Sequence, residues 1–417
     1  MGDFVEQQVV DFETASVSEY KFTKKDYLST IRRSVVMDNF LYFFLFSLIS
    51  VYLLSQGVTP WVAVSIPLVL RIARLITSSS SLCLKISLKI SYKKIYMWFI
   101  FLQTTLGVLL LNMRSPFTII PITILCGIIN GVCKMSVTAL NTQNPRFESH
   151  CLITWERSIV IGSLLGSLFG QLVFDIGYVP YLIIFIAIGI FSLTFNISMK
   201  DIRVANNTAS DTDANAAFDT KLSPYEKRKI FVCSSIYAIF ISMWTMADGI
   251  WSEIAPLISS RLGYANALLQ GVELLTLIFF SGKMLAKLKS SHNLVLVAFI
   301  FAFIDCLCVF MMCKFRTELC LFIIYGISGV GTALGDPIWA SIVSSMSQNN
   351  RAKYVKIMHL YYLYSTGFAL LSIVLCSVFV SYAIDSMKYY AFVLLVIIVF
   401  VYIIFELLCK KYYKRSI

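Results

Sequence analysis

Arg71 and Arg74 stand three residues apart in the run Pro67-Leu68-Val69-Leu70-Arg71-Ile72-Ala73-Arg74-Leu75, where every other residue is apolar. Asp38, Glu273 and Asp305 are carboxylates in comparably apolar surroundings. An ionised side chain in hydrocarbon costs at least about 2.5–3.5 kcal/mol, so each of these needs a partner, a watery cavity or a task. Guanidinium groups bind anions, and a carboxyl group held away from water keeps its proton more tightly, as a proton-exchanging residue must. Ion binding and proton exchange are therefore the chemistry on offer. Enzyme chemistry is not expected, because no span or loop gathers the carboxylates, histidines or nucleophile it would require. Nothing reads Gly-x-x-x-x-Gly-Lys-Ser/Thr, so ATP is excluded as a direct energy source and no cofactor is expected. No metal site is expected either: His150, His292 and His359 lie far apart, and Cys306-Leu307-Cys308 fits no metal framework.

The elements that must hold these charges follow from composition. The 417 residues are 58% hydrophobic and 14% charged, with a mean hydropathy of +0.78, which rules out a water-soluble domain. A hydrocarbon core of about 30 Å needs about 20 apolar residues per helix. Such runs fall at 34–56, 60–80, 95–113, 116–138, 156–176, 179–198, 229–251, 264–284, 293–313, 318–340, 356–380 and 388–409. The expected fold is all-α and polytopic, with about twelve spans; strands of a membrane barrel would alternate polar and apolar over about 10 residues instead. The first thirty residues carry Asp3, Glu6, Asp11, Glu13, Glu19 and Asp26 and no apolar core, so they read as a polar tail and not a signal peptide.

The net charge of +12 reports orientation before it reports a nucleic-acid partner, and none is expected. Placing the N-terminus in the cytosol puts Lys24, Lys25, Arg32, Arg33, Lys85, Lys89, Lys93, Lys94, Lys227, Arg228, Lys410 and Lys411 on that side, and only a few basic residues such as Arg114 and Arg261 opposite. Both termini are then cytosolic in a multi-pass protein of the cell membrane. The polar stretch 200–228, with Asn206-Asn207-Thr208-Ala209-Ser210-Asp211, divides the spans six and six. The expected domains are a tail 1–33, a bundle 34–199, a linker 200–228, a second bundle 229–409 and a tail 410–417. An echo supports two related halves: Gln143-Asn144-Pro145-Arg146 precedes span five, and Gln348-Asn349-Asn350-Arg351 precedes span eleven, with Gly162 and Gly367 at the same offset.

From about Arg33 to Cys409 the sequence resembles the major facilitator superfamily. Where that family reads Gly-x-Leu-Ala-Asp-Arg-x-Gly-Arg-Arg after span two, Lys85-Ile86-Ser87-Leu88-Lys89-Ile90-Ser91-Tyr92-Lys93-Lys94 keeps the basic end, and Lys89 replaces the acidic residue. Span five places Gly162, Gly166 and Gly170 at four-residue spacing, which lets a neighbouring backbone approach one helix face. This is similar to the exporters' Gly-x-x-x-Gly-Pro-x-x-Gly-Gly, with Ser167 for the proline and Gln171 for the last glycine. The resemblance implies two pseudo-symmetric six-helix bundles rocking about a midplane site, in the drug, siderophore and peptide efflux branch. It implies packing or gating roles for Gly162, Gly166, Gly170, Lys93 and Lys94; simple helix packing is the alternative for the glycines.

Arg71 lies eleven residues beyond Pro60, about 16 Å into span two, and Arg74 follows on the same face. Asp38, entering span one from the cytosolic side, is expected at a depth similar to that of Arg74. Asp38 and Arg74 either form an ion pair bracing spans one and two, or Arg71 and Arg74 take an anionic group of a substrate while Asp38 exchanges protons. Asp305 has no polar neighbour in its span and is either a proton-coupling residue or a structural hydrogen-bond partner. Glu273, three residues after Gln270, lines a cavity or faces water; Trp244 and Tyr362 are candidates for cavity-facing aromatics. Asp336, between Gly335 and Pro337, is placed to stabilise a turn. The expectation is a proton-coupled carrier, acting as a monomer in the bilayer, that exports a small amphipathic or peptide-like compound. Uptake of an anionic metabolite and a non-transporting receptor or immunity protein on the same scaffold remain open.

Overall fold

The structure is a computed structural model. It describes residues 24–80, 90–141, 148–197, 199, 255–279 and 314–347, together with single positions and short runs between 300 and 312 and between 389 and 407. The elements are α1 (Lys24–Phe46), α2 (Ile49–Ser55), α3 (Pro60–Ser79), α4 (Tyr92–Asn112), α5 (Pro116–Asn141), α6 (Glu148–Ile176), α7 (Tyr178–Ile197), α8 (Leu262–Phe279) and α9 (Glu318–Ser347). No strand occurs among the described residues. Among the described residues seven stretches, the first running from Leu28 through α1 and α2 to Ser55, are long and apolar enough to cross a membrane. They coincide with expected spans one to six and eight. Spans seven and eleven, the echo segments 143–146 and 348–351, and the linker lie outside the described residues.

Two boundaries differ from the expected ones. α1 begins at Lys24, ten residues inside the stretch read as a tail. Its first turns carry exposed Arg32 and Arg33 on one side, while Thr30, Ile31 and Ser34 are buried on the other. This polar extension of a spanning helix is invisible to a hydropathy window. At the far end, α9 runs through Asp336 and Pro337 to Ser347, so no turn forms where Asp336 suggested one. Proline removes one backbone donor, and membrane helices accommodate that where neighbouring elements supply the freed group.

The break between α1 and α2 has a local cause. The Ser47 hydroxyl donates to the Phe43 carbonyl at 2.5 Å, and the Leu48 amide turns to the Leu45 carbonyl at 3.3 Å. Such side-chain bonds compete with the helical ladder. The Phe44 carbonyl, which Leu48 would otherwise serve, accepts from the Tyr181 hydroxyl of α7 at 2.5 Å. Beyond α2, Gly57 has a φ of +76°, open to glycine at little cost, and Pro60 begins α3 where its missing amide is harmless.

Glycines set the tightest packing. A Cβ on Gly162 or Gly166 would meet the carbonyls of Val36 and Phe40, and one on Gly170 would lie 2.8 Å from the Phe44 carbonyl. The bare face of α6 is thus pressed against the α1 backbone. On the other side of the bundle, a Cβ on Gly127 of α5 would stand 2.6 Å from the Ala73 Cβ, and one on Gly131 would stand 2.8 Å from the Arg74 carbonyl. α1 is held by α6, and α3 by α5. Gly329 of α9 meets the Leu269 carbonyl of α8 in the same manner.

Candidate functional site

Val36, Phe40 and Phe44 are spaced four apart, so they form the α1 face that α6 covers. Asp38 and Tyr42 each lie two residues from that face, about 200° around the helix, and are directed away from α6. Both are half-buried. Across from them α3 presents half-buried Arg71 and Arg74, four and seven residues past Pro67, which sits inside the helix. Pro67 has no amide to offer the Ala63 carbonyl, so the ladder of α3 is interrupted one turn before Arg71.

The four side chains converge. The charge of Arg74 acts on Asp38, and Tyr42 lies in the fields of Arg74, Arg71 and Asp38, with Cys126 of α5 also in reach. The Asp38 carboxyl also acts on Tyr96 of α4 and on Cys133 of α5. One carboxylate oxygen of Asp38, Oδ1, is buried and has no hydrogen-bond partner among the described residues. Bare oxygens of this kind are costly in an apolar interior and mark a place where a proton, a water or a ligand donor is suited.

The cluster is floored by a satisfied network. The Tyr96 hydroxyl donates to the Ser34 carbonyl, and the Ser34 and Tyr92 hydroxyls share a hydrogen bond of 2.8 Å. Ser34 also donates to the Thr30 carbonyl at 2.8 Å. These contacts fix α1 against α4 one turn below Asp38, so the carboxylate is presented by a helix held on two sides.

Of the residues singled out in the sequence, the structure brings Asp38, Arg71 and Arg74 together and adds Tyr42. Tyr42 is one helical turn beyond Asp38, and that i, i+4 relation was the signal available for it. Glu273 is half-buried on α8, its backbone beside Gly329 of α9. Asp305, Trp244 and Tyr362 lie outside the described residues. Lys93 donates from Nζ to the Ile197 carbonyl at 2.6 Å, capping the C-terminal end of α7. The Lys94 amide donates to Ser91 Oγ at 3.4 Å at the start of α4. Among the described residues no three His, Cys, Asp or Glu side chains converge where a metal could be held.

A second polar cluster joins the halves of the chain. Gln171 of α6 donates from Nε2 to Asp175 Oδ1 at 2.8 Å and accepts from the Gly263 amide of α8 at 3.0 Å. The Tyr264 hydroxyl donates to Asp175 Oδ2 at 3.0 Å. A Cβ on Gly263 would stand 2.5 Å from the Gln171 Cβ, so glycine is what lets α8 approach α6 here. One glutamine and one aspartate one turn apart thus bond the start of α8. Further along the same two helices Val160 of α6 and Leu277 of α8 are buried together with Ala333 of α9.

No family model matches this sequence, and no curated protein matches it. The backbone is similar to several solved structures. One is the crystal structure of the human organic anion transporter MFSD10 (TETRAN), with a TM-score of 0.57 and 12% identity over 90% of this chain and 99% of that one. Another is the nucleoside transporter NupG, crystallised as a point mutant, with a TM-score of 0.65 and 13% identity over 91% and 99%. A third is a POT family transporter in complex with a thioalcohol-conjugated peptide, with a TM-score of 0.66 and 12% identity over 92% and 96%. The chain has the twelve-helix major facilitator fold of these proteins.

Proposed function

We propose that this protein is a secondary carrier that moves a small amphipathic or peptide-like compound bearing an anionic group across the cell membrane by alternating access, coupled to protons. The observation that carries the reading is the Asp38, Tyr42, Arg71 and Arg74 cluster between α1 and α3, where the carboxylate has a buried oxygen with no partner among the described residues. Arginine carries the positive charge at all accessible pH, so Arg71 and Arg74 are suited to hold an anionic group of the cargo. Asp38 is suited to take a proton when that group leaves or arrives, because a carboxylate and an anionic cargo compete for the same guanidinium field. The similar structures named above include an organic anion transporter, a nucleoside transporter and a peptide-bound transporter, which accords with a small-molecule cargo.

The chain is read as two bundles joined by the linker 200–228, with both termini cytosolic, as the basic residues favour. Export is the favoured direction, on the partial match of the Gly162, Gly166 and Gly170 stripe to the exporters' motif. Uptake of an anionic metabolite is the second reading, and the two arginines favour it. Inside-out vesicles carrying the full chain and an imposed pH gradient separate the two: accumulation of labelled candidate compounds means export, and accumulation only in whole cells means uptake. Asp38→Asn is expected to abolish the dependence on the gradient while leaving exchange of cargo, and Arg71→Ala to weaken cargo binding. Transport that persists in both variants with its proton dependence intact refutes the reading, and a cellular phenotype without any flux would favour the receptor alternative.

A further inference from the structure

Lys93, Lys94, Met97, Trp98, Phe101 and Leu193 line a groove of about 530 Å³ between α4 and α7, on the flank of the bundle away from the Asp38 cluster. Trp98 is 64% exposed and Phe101 48% exposed, so the groove opens outward, where a membrane protein meets lipid. Its chemistry is divided along its length. Both lysines lie at one end, and the four other lining residues are apolar. From Lys93 to Phe101 the helical rise is about 12 Å, so the groove descends from a polar rim towards the hydrocarbon. Trp98, about one turn below the lysines, stands where indole rings settle at the headgroup level.

The rim is more cationic than the two lysines alone. Arg33 of α1 stacks over the Phe195 ring at 5.8 Å from its centroid, and Lys93 caps the Ile197 carbonyl. The last turn of α7 therefore has a cation on either side. No acidic residue lines the groove. A single carbonyl occupies one of the three Lys93 donors, and Lys94 is exposed.

We infer that this groove is a binding site for one anionic phospholipid of the surrounding leaflet, with its phosphate on Lys93 and Lys94 and an acyl chain laid along Met97, Trp98, Phe101 and Leu193. Basic grooves between membrane helices hold such headgroups by charge, and the apolar floor adds the area of the chain. A neutral phospholipid has the same tails but cancels the phosphate with its own cation, so the lysines discriminate against it.

The test uses the purified full chain in detergent, incubated with equimolar phosphatidylglycerol and phosphatidylcholine, washed, and the retained lipid counted by native mass spectrometry. The parent is expected to keep phosphatidylglycerol in preference. Lys94→Gln, which leaves the Lys93 cap in place, is expected to lower that preference about fivefold, the ratio one basic residue near an anionic surface gives. Leu193→Trp fills the groove and keeps both charges, and is expected to lose the preference too. Equal retention of the two lipids by the parent overturns the proposal. So does loss in Lys94→Gln without loss in Leu193→Trp, which would mean surface charge and not a groove. Displacement of the lipid by millimolar inorganic phosphate also overturns it, since the site would then serve a free anion.

Discussion

Replacing Gly166 with alanine tests whether the bare face of α6 is what positions the Asp38 helix. The added Cβ would run into the Phe40 carbonyl and stand 3.0 Å from the Phe44 amide nitrogen, both backbone atoms of α1. Neither can rotate away, so α1 must shift as a body. At Gly170 the corresponding contact is 2.8 Å to the Phe44 carbonyl, and a shift of roughly half an ångström restores ordinary contact. Overpacking of this kind costs about 1–3 kcal/mol, less the gain of up to ~1 kcal/mol from alanine's better helix propensity. Gly271 of α8 is the internal control. Its Cβ would meet only Leu164 Cδ1 at 3.9 Å, an ordinary contact, so Gly271→Ala keeps the propensity gain and carries no clash. Thermal denaturation of the full chain in detergent should lower the midpoint for Gly166→Ala and leave it unchanged or raised for Gly271→Ala. Because Asp38 and Tyr42 ride on the displaced segment, the function proposed above predicts that Gly166→Ala also depresses flux and its dependence on the proton gradient, measured at a temperature where it remains folded. Equal stability of the two variants would refute the packing argument; a stable Gly166→Ala with full flux would refute its link to the site.

Gln103 of α4 is fully buried, and neither polar atom of its side chain has a hydrogen-bond partner among the described residues; Gln103→Leu should raise the thermal midpoint, by a stabilisation of about 1–3 kcal/mol, and a lowered midpoint would mean that the amide serves a polar partner. Tyr264→Phe removes the hydroxyl that donates to Asp175 across the halves; as the bond is exposed, its loss should move the balance between open and closed arrangements of α6 and α8 only severalfold, read by spin-label distances between the two helices, and an unchanged distribution would show that the bond holds nothing. Over the transport cycle proposed above, spin labels on α1 and α3 should change separation more than labels on α1 and α6, because glycine contacts lock the second pair; equal changes would contradict that order of rigidity.

Hydropathy made the spans legible, since a run of about twenty apolar residues has few alternatives to a membrane helix. It could not show that α1 starts at Lys24, because the added turns carry charges on one face and the apolar residues on the other are too few to raise a window average. The nearness of Asp38 to Arg74 was also legible, since helical rise from each span end brings the two to one level. The glycine spacing in α6 announced a close backbone contact, yet nothing in it named α1 as the partner. Pairing between helices depends on which faces turn inward, and in a bilayer both faces are apolar, so the pattern that orients a soluble helix is missing. The same absence hid the bond between Gln171 and the Gly263 amide, whose members lie ninety-two residues apart in sequence.

Two consequences follow from where the glycines fall. α1 is seated on α6 and α3 on α5, so the Asp38 carboxylate and the Arg71 and Arg74 guanidiniums belong to different tightly packed pairs. What faces them across the gap is polar and half-buried, with Tyr42 in the fields of all three charges. A small relative slide of the two pairs would leave the glycine contacts intact and still change the field at Asp38, since Coulomb energy in a weakly screened interior is steep in distance. α6 also contacts α8 through Gln171 and Asp175, so the helix that seats Asp38 is the one bonded to the other half of the chain. Movement between the halves would reach the carboxylate through α6 and α1, while α3 stays with α5. On the function proposed above, that arrangement would supply what coupling needs: an ionisable group whose charged partners approach or withdraw as the halves rearrange.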